Sequence, residues 1–222
     1  MNPNAAHVIT LGLRPNAQPR EGLSTGIAPL DALLTHVQTQ GFPRGAISEI
    51  LGPESSGRTT LLHSLLAAAT AQLEICAYVD TGDSFDPVSA AASGVALSQL
   101  VWVRCGHNAA HALKAADALL HAGGFGVVVL DLCQVPTRIW NHIPISYWYR
   151  FRRAIENTPS ILAITGQQPA AKSCASLMLD LTRKRTIWTG APGFSLLRGV
   201  EIEATSRKPV RAAAVQFIAQ AI

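Results

Sequence analysis

The sequence has little charge and no long hydrophobic segment, and each shortage excludes a class of protein. Only 14% of its 222 residues are charged and 48% are apolar, which is unlike a disordered chain and sufficient for a large core. Continuous apolar runs, such as residues 127–130, are far too short to cross a bilayer. We therefore expect one sizeable globular α/β domain without a membrane segment.

Cysteine is also scarce and shows no pattern. The four cysteines, Cys76, Cys105, Cys133 and Cys174, have no metal-ligand spacing, so we interpret them as buried thiols in a reducing compartment. Residues 1–4 lack the charged-then-apolar pattern of a signal peptide, which favours a cytoplasmic location. The formal net charge of +4 permits an anionic partner without requiring one.

The sequence does contain a glycine-rich loop, GPESSGRTT at residues 52–60, between a predicted strand (47–51) and a predicted helix (59–73). Its spacing is that of the phosphate-binding loop G-x-x-x-x-G-K-[ST], with arginine in place of lysine. In such a loop the backbone N–H groups converge on a phosphate, and the positive end of the helix dipole adds to the attraction. The candidate nucleotide-binding residues are Gly52, Ser55, Ser56, Gly57, Arg58, Thr59 and Thr60. The alternative is a Gly/Ser-rich turn that binds no nucleotide.

The arginine in this loop changes what the loop is expected to do. Arg58 keeps the positive charge of a lysine, but its guanidinium is planar, forked and longer. Phosphate binding can therefore survive while alignment for hydrolysis suffers.

An aspartate at the end of another apolar strand is the candidate partner for magnesium. Asp131 closes the predicted strand 126–132, where a carboxylate can hold Mg²⁺ through water, and the Thr59 hydroxyl lies where a direct ligand belongs. The alternative for Asp131 is a helix cap. The polar segment 81–87 follows a third predicted strand, at the edge where open parallel sheets place their ligand sites.

Basic residues form candidate contacts for single-stranded DNA. Arg150 and Arg153 share one face of a predicted helix, and Arg207 and Lys208 lie at the predicted tip of a hairpin formed by residues 200–204 and 213–218. Contacts from such groups to phosphates would be salt-sensitive and independent of base sequence. The alternative is a solvated basic face.

The N-terminal segment is expected to be an arm. Residues 7–12 look like a short strand on a flexible connector, so we divide the chain into an N-terminal strand, or arm, with its linker (1–22) and a core domain (23–222). An unpaired strand can add to the edge of another sheet, which would mediate self-association or partner binding. The alternative is a strand that folds back on its own sheet.

These segments, in this order, resemble the core of the bacterial RecA recombinase family. The resemblance rests on Ser24-Thr25-Gly26 with Leu30-Asp31, on the glycine-rich loop, and on Cys76-Ala77-Tyr78-Val79-Asp80 with Asp86-Pro87. It implies a RecA-like P-loop NTPase core, in which a mostly parallel twisted sheet has helices on both faces and a C-terminal β-hairpin. It also implies ATP with Mg²⁺ as cofactor, with Asp86 near the nucleotide.

The departures from the family pattern concern catalysis. The glutamate that orients the attacking water in the family corresponds to Gly82, with Asp83 one residue later, and the aromatic residue that stacks on adenine corresponds to Ser89. Gln167 stands where the family's glutamine senses the γ-phosphate, so Asp83 and Gln167 are the catalytic candidates. The DNA-gripping loop that follows is shortened to residues 169–174. The resemblance therefore implies very weak ATP hydrolysis or none.

This shortened pattern is similar to that of the RecA-related proteins called ImuA. The similarity implies an accessory factor in damage-induced translesion DNA synthesis that binds RecA, an ImuB-like polymerase partner, or both. Two alternatives remain at this stage. One is a working DNA-dependent ATPase or minimal recombinase, in which Arg58 and Asp83 replace the usual pair. The other is an inhibitor similar in logic to SulA that binds no nucleotide.

Overall fold

The computed structural model describes residues 22–36, 41–140, 142–191, 193–211 and 214–220. The predicted N-terminal strand, residues 7–12, lies outside the described residues, as do nearly all residues of the predicted arm. None of the helices in the described ranges has the length and apolarity that a bilayer crossing requires.

The described residues form ten strands and six helices. The strands are β1 (Gly22–Leu23), β2 (Phe42–Pro43), β3 (Ala46–Leu51), β4 (Cys76–Asp80), β5 (Leu100–Arg104), β6 (Val127–Asp131), β7 (Ile161–Gly166), β8 (Ala175–Thr189), β9 (Leu196–Lys208) and β10 (Val215–Gln220). The helices are α1 (Ala28–His36), α2 (Arg58–Ala71), α3 (Pro87–Ala92), α4 (Ala109–Ala122), α5 (Thr137–Trp140) and α6 (Ile145–Ile155).

Eight strands form one mixed sheet in the order β10-β9-β8-β3-β7-β6-β4-β5. The pairs from β8 to β5 are parallel, and β8, β9 and β10 are antiparallel neighbours. The predicted fold class is therefore confirmed, including the C-terminal hairpin, in which Ala204 lies opposite Val215.

The central strands are apolar on both faces because each face is covered. In β4, Cys76 and Tyr78 pack in one core with α2, while Ala77 and Val79 pack in a second core with α4 and α6. Both faces of a strand are buried when helices cover both sides of the sheet, so its sequence is a continuous apolar run. The helices lie on both faces, as predicted.

The carboxyl ends of the parallel strands meet at one edge. Asp80 lies opposite Asp131, Asp131 lies opposite Thr165, and Leu51 lies opposite Gly166. The glycine-rich loop, the polar segment after β4 and the segment after β7 therefore begin side by side, at the place where open α/β sheets bind ligands.

Candidate nucleotide-binding site

The glycine-rich loop has a curled backbone that ends at an uncapped helix. Ser55 and Gly57 have positive φ angles of 58° and 93°. Gly57 is the N-cap of α2 and offers no side chain to the first N–H groups of the helix. The first N–H groups of a helix have no partner within the helix, so this terminus can accept an anion.

The loop packs closely against β9, and this contact explains why residue 57 is a glycine. A Cβ atom on Gly57 would lie 2.1 Å from Cδ1 of Ile202. Any side chain at residue 57 would therefore displace the loop or the strand.

A cavity of about 260 Å³ lies between the loop and the last two strands. Residues 55–60 line one side, and apolar side chains of β9 and β10, including Leu197, Val200 and Ala219, line the other. The cavity thus has the glycine-rich loop on one side and an apolar wall on the other.

Two buried polar groups of the loop have no partner. Arg58 is only 9% exposed, and its Nη1 atom makes no hydrogen bond. The Ser56 hydroxyl is also buried and unpaired. A buried unpaired donor costs about 1–3 kcal/mol, and more when it is charged, so these groups fit the phosphates of a nucleotide. Thr59 and Thr60 are exposed on the first turn of α2.

The candidate magnesium residue Asp131 already accepts three hydrogen bonds. Its Oδ2 atom accepts from the Tyr78 hydroxyl at 2.8 Å and from the Ser84 hydroxyl at 3.3 Å, and its Oδ1 atom accepts from the Cys133 N–H at 2.9 Å. Burial raises the pKa of Tyr78 well above its ordinary value, and the Asp131 charge adds to that rise. The phenol therefore remains a donor to the carboxylate. A magnesium role for Asp131 stays a prediction.

Arg58 and Asp131 approach the same thiol. Burial raises the pKa of Cys133 to about 12, Asp131 adds to the rise, and the Arg58 charge opposes it. The positive charge of the loop thus lies close to the carboxyl end of β6.

Asp86 has a local structural role. It is the N-cap of α3, and its carboxylate accepts from the backbone N–H groups of Val88 and Ser89 and from the Ser89 hydroxyl. The Ser89 hydroxyl, followed by the Val88 N–H, lowers the pKa of Asp86. Contact between Asp86 and a nucleotide stays a prediction.

The three positions considered for hydrolysis differ in their surroundings. A Cβ atom on Gly82 would lie 2.4 Å from Cγ of Gln134, so Gln134 fills the space that a longer side chain at residue 82 would need. Asp83 accepts a hydrogen bond from Nε of Arg104 at 3.2 Å. Gln167 is exposed and lines a separate cavity together with Glu54, Gln134 and Gln168.

Two of the predicted DNA contacts lie beside the connection between β9 and β10. Arg207 and Lys208 follow the last β9–β10 pair, Ala204 opposite Val215, as predicted, but β9 continues through Lys208 and pairs there with β8. Arg207 forms an ion pair with Asp180. The Lys208 ammonium donates to the Lys172 carbonyl at 2.5 Å. Both cations have partners within the fold, and contact between them and DNA stays a prediction.

The other two predicted contacts lie on α6. Arg150 forms an ion pair with Asp117 of α4, and Arg153 is exposed. The two arginines border a groove that also includes His121, Ile145 and Tyr149. Contact between DNA and this face stays a prediction.

Sequence reasoning missed Glu49, which anchors the short segment after β7. Its side chain is fully buried in β3, and Oε1 accepts from the N–H groups of Ala170 at 2.5 Å and Ala171 at 2.8 Å. Burial raises the pKa of Glu49, although these two N–H groups oppose the rise. A lone acid inside an apolar strand was the available signal.

Comparisons with known proteins identify the family. The RecA N-terminal domain matches residues 4–137, which is more than half of the chain. The chain belongs to the RecA N-terminal domain family. Among its relatives, protein RecA of Rickettsia bellii is 39% identical over 124 residues, and protein RecA of Rhodospirillum rubrum is 40% identical over 124 residues.

The match to these relatives is partial. It covers 56% of this chain but only 35% and 33% of the two relatives, so the chain spans about a third of their length. The crystal structure of the RadB recombinase superimposes with a TM-score of 0.65 over 88% of this chain and 95% of that chain, at 19% identity. That likeness supports the fold alone.

Proposed function

We propose that this RecA-family chain is an accessory protein of DNA repair that binds a nucleoside triphosphate at residues 52–60 and hydrolyses it very slowly or not at all. The observation that carries the proposal is the buried Arg58 Nη1 atom, which has no protein partner within a loop of phosphate-binding shape.

The residues for binding are available. The N–H groups of the loop and of the first turn of α2 would surround the phosphates, and Arg58 would neutralise their charge. The Thr59 hydroxyl and Asp131 would hold Mg²⁺, directly and through water respectively; the ion would neutralise the phosphate oxygens. The apolar wall of β9 and β10 offers a surface for the base.

The residues for hydrolysis are compromised. A positioned general base contributes about 10²–10⁴-fold to a rate. Residue 82 is a glycine covered by Gln134, and Asp83 is engaged by Arg104, so no carboxylate from this segment is free to orient water. Slow turnover follows from the loss of this contribution.

The finer role that we propose is that of an ImuA-like factor in translesion synthesis, which binds RecA or a polymerase partner. The shortened segment after β7 supports this, because Glu49 and Lys208 fix it in place, unlike a loop that must move to grip DNA. Residues 7–12 would add to the edge strand of RecA or of a second copy. Edge strand β5 of this chain, where Val101 and Trp102 are exposed, is a suitable acceptor for such a strand.

Calorimetry with ATP and Mg²⁺, together with a phosphate-release assay in the presence of single-stranded DNA, tests the proposal. We expect saturable binding that Arg58→Ala weakens, and phosphate release near background. Brisk hydrolysis that is lost in Arg58→Ala would instead identify a DNA-dependent ATPase. Absence of nucleotide binding would favour an inhibitor that acts only through protein contacts.

A further inference from the structure

The β8–β9 hairpin extends beyond the rest of the sheet and ends in exposed aromatic side chains. Trp188 lies opposite Leu197 and Thr189 opposite Leu196, whereas the described residues of β10 pair with β9 only as far as Gly199. We call residues 186–191 and 193–198 the aromatic tip. Trp188 is 56% exposed and Phe194 is 85% exposed. No described element covers these rings, although the exposure of such large apolar side chains to water is unfavourable.

The charged side chains in and next to the aromatic tip, within residues 182–198, are all basic. Residues 182–198 contain four basic residues and no acidic residue. Two of these cations are neutralised across the hairpin, since Lys184 pairs with Glu203 at 2.8 Å and Arg185 pairs with Glu201 at 2.5 Å. The other two are Arg183 and Arg198, both exposed.

One of these cations, Arg198, is placed to act together with the Trp188 ring. Arg198 lies between Leu197 and Gly199 and donates from Nε to the Thr189 hydroxyl at 3.0 Å, which leaves the rest of its guanidinium for another acceptor. The indole N–H of Trp188 donates to the Thr186 hydroxyl at 2.8 Å, which fixes one edge of the ring. An exposed, oriented indole beside an arginine that has no ion pair is a surface for a polyanion that carries flat aromatic groups.

We propose that the aromatic tip binds single-stranded nucleic acid, with bases stacked on Trp188 and Phe194 and phosphates held by Arg183 and Arg198. Single-stranded binding surfaces combine these two elements, because every base offers a π face and every nucleotide carries a phosphate. A protein partner with an apolar cleft would complement the rings. Such a cleft would not explain why the 17 residues 182–198 include four basic side chains and no acidic one. The role of this surface in DNA repair rests on the proposed function. Binding of the nucleic acid itself does not involve the glycine-rich loop.

Fluorescence anisotropy with a labelled oligothymidine of about 16 nucleotides tests the proposal, since sites of this kind cover up to about that length. Trp188→Ala and Phe194→Ala should each weaken binding about tenfold. Trp188→Phe should restore most of the affinity, because it keeps a ring. Leu73→Ala, which removes an exposed apolar side chain after α2, is the matched control and should have no effect.

A second oligonucleotide separates stacking from charge and from misfolding. A probe of the same length in which most positions are abasic should bind the wild-type chain about 100-fold more weakly, because both stacks are lost, but should bind the double variant Trp188→Ala/Phe194→Ala as well as the oligothymidine does. Arg198→Ala should instead weaken both probes and reduce the dependence of affinity on salt. Thermal unfolding of each variant checks that the fold is intact.

Three outcomes would overturn the proposal. They are no binding of the oligothymidine by the wild-type chain, equal binding of the two probes by the wild-type chain, and full affinity in both Trp188→Ala and Phe194→Ala. A change in sedimenting mass for these variants with unchanged DNA affinity would identify the aromatic tip as a protein contact instead. Nucleotide binding is measured on the same samples, so failure of the aromatic tip is distinguishable from failure of the nucleotide site.

Discussion

The glycine-rich loop and the segment after β4 lie at the same edge of the sheet, but they differ in whether their polar groups have partners. In the loop, the Arg58 Nη1 atom and the Ser56 hydroxyl are buried without partners. In the neighbouring segment, Asp83 is paired with Arg104, and the backbone at Gly82 is covered by Gln134. The loop is arranged to receive a ligand, whereas the segment that would orient water is engaged within the fold.

This difference suggests that binding and hydrolysis can be separated in a RecA-like fold. Binding depends on backbone N–H groups and one cation, which the packing of β3, α2 and β9 holds in place. Hydrolysis depends on a single carboxylate at a loop position, and one substitution removes it. Binding is supported by many groups of the scaffold, whereas hydrolysis depends on one side chain. Hydrolysis is therefore lost more easily.

The largest expected effect comes from the loop itself. Gly57→Ala should lower the free energy of unfolding by roughly 2–4 kcal/mol, because the new Cβ atom meets Ile202 at 2.1 Å and the residue has a φ of 93°. Urea unfolding measures the change. Gly106→Ala is the matched control, since Gly106 also has a positive φ, 56°, but has no atom within 4 Å of the added carbon. It should cost only about 1 kcal/mol. Equal costs would show that β9 does not press on the loop.

The next effect concerns nucleotide affinity. Arg58→Ala should weaken ATP binding about 10- to 100-fold, because a charge-assisted hydrogen bond to a phosphate contributes about 1.5–3 kcal/mol. It should not destabilise the free chain, since it removes a buried donor that has no partner. Arg104→Ala, which removes a cation from the neighbouring segment, should leave the affinity unchanged. A similar loss in both variants would mean that the effect is one of general charge.

A smaller effect concerns stability and pH. Burial raises the pKa of Glu49 in the folded chain above its ordinary value of 4.5, so the folded state binds the proton more tightly than the unfolded state does. This contribution to stability is complete below pH 4.5 and is lost as the pH rises through the folded pKa. Glu49→Gln should remove this loss of stability with rising pH. It should make the chain about 1 kcal/mol more stable than wild type at neutral pH.

The control for Glu49→Gln is Glu54→Gln, which removes a carboxylate from an exposed position on the loop. Urea unfolding at several pH values compares the three chains. If Glu49→Gln lost stability at neutral pH, the charge on Glu49 would be needed to hold Ala170 and Ala171.

The smallest effect is expected at the catalytic candidate. Asp83→Asn should change the rate of phosphate release less than about twofold, because we propose that its carboxylate, which pairs with Arg104, does not act as a base. A loss of about 10²–10⁴-fold would instead identify Asp83 as the general base. Asp131→Asn, measured alongside, reports whether any residual rate depends on the predicted magnesium site.

The sequence allowed the parallel half of the fold to be predicted closely. Continuous apolar runs marked strands such as β6 and β7, and the spacing of the glycine-rich loop marked the start of α2. These elements could be predicted because local pattern determines them.

The antiparallel half was harder to predict. The basic run at residues 183–185 breaks the alternation of β8, and only the cross-strand acids Glu201 and Glu203 make it compatible with a strand. The partner of Arg207, Asp180, lies 27 residues away in the sequence and could not be predicted. In the site, the contact between Gly82 and Gln134 joins two loops that no local pattern connects. Such pairings depend on tertiary structure and leave no local signal.

The most direct test of the account is the chemical identity of the nucleotide that stays bound. The chain is incubated with ATP and Mg²⁺ in the presence of single-stranded DNA for hours, separated from free nucleotide by gel filtration, and the bound nucleotide is extracted and analysed. We expect about one nucleotide per chain in the wild type, predominantly intact ATP, and much less in Arg58→Ala. Recovery of ADP with matching phosphate release would contradict the account, because the loop would then belong to a working ATPase.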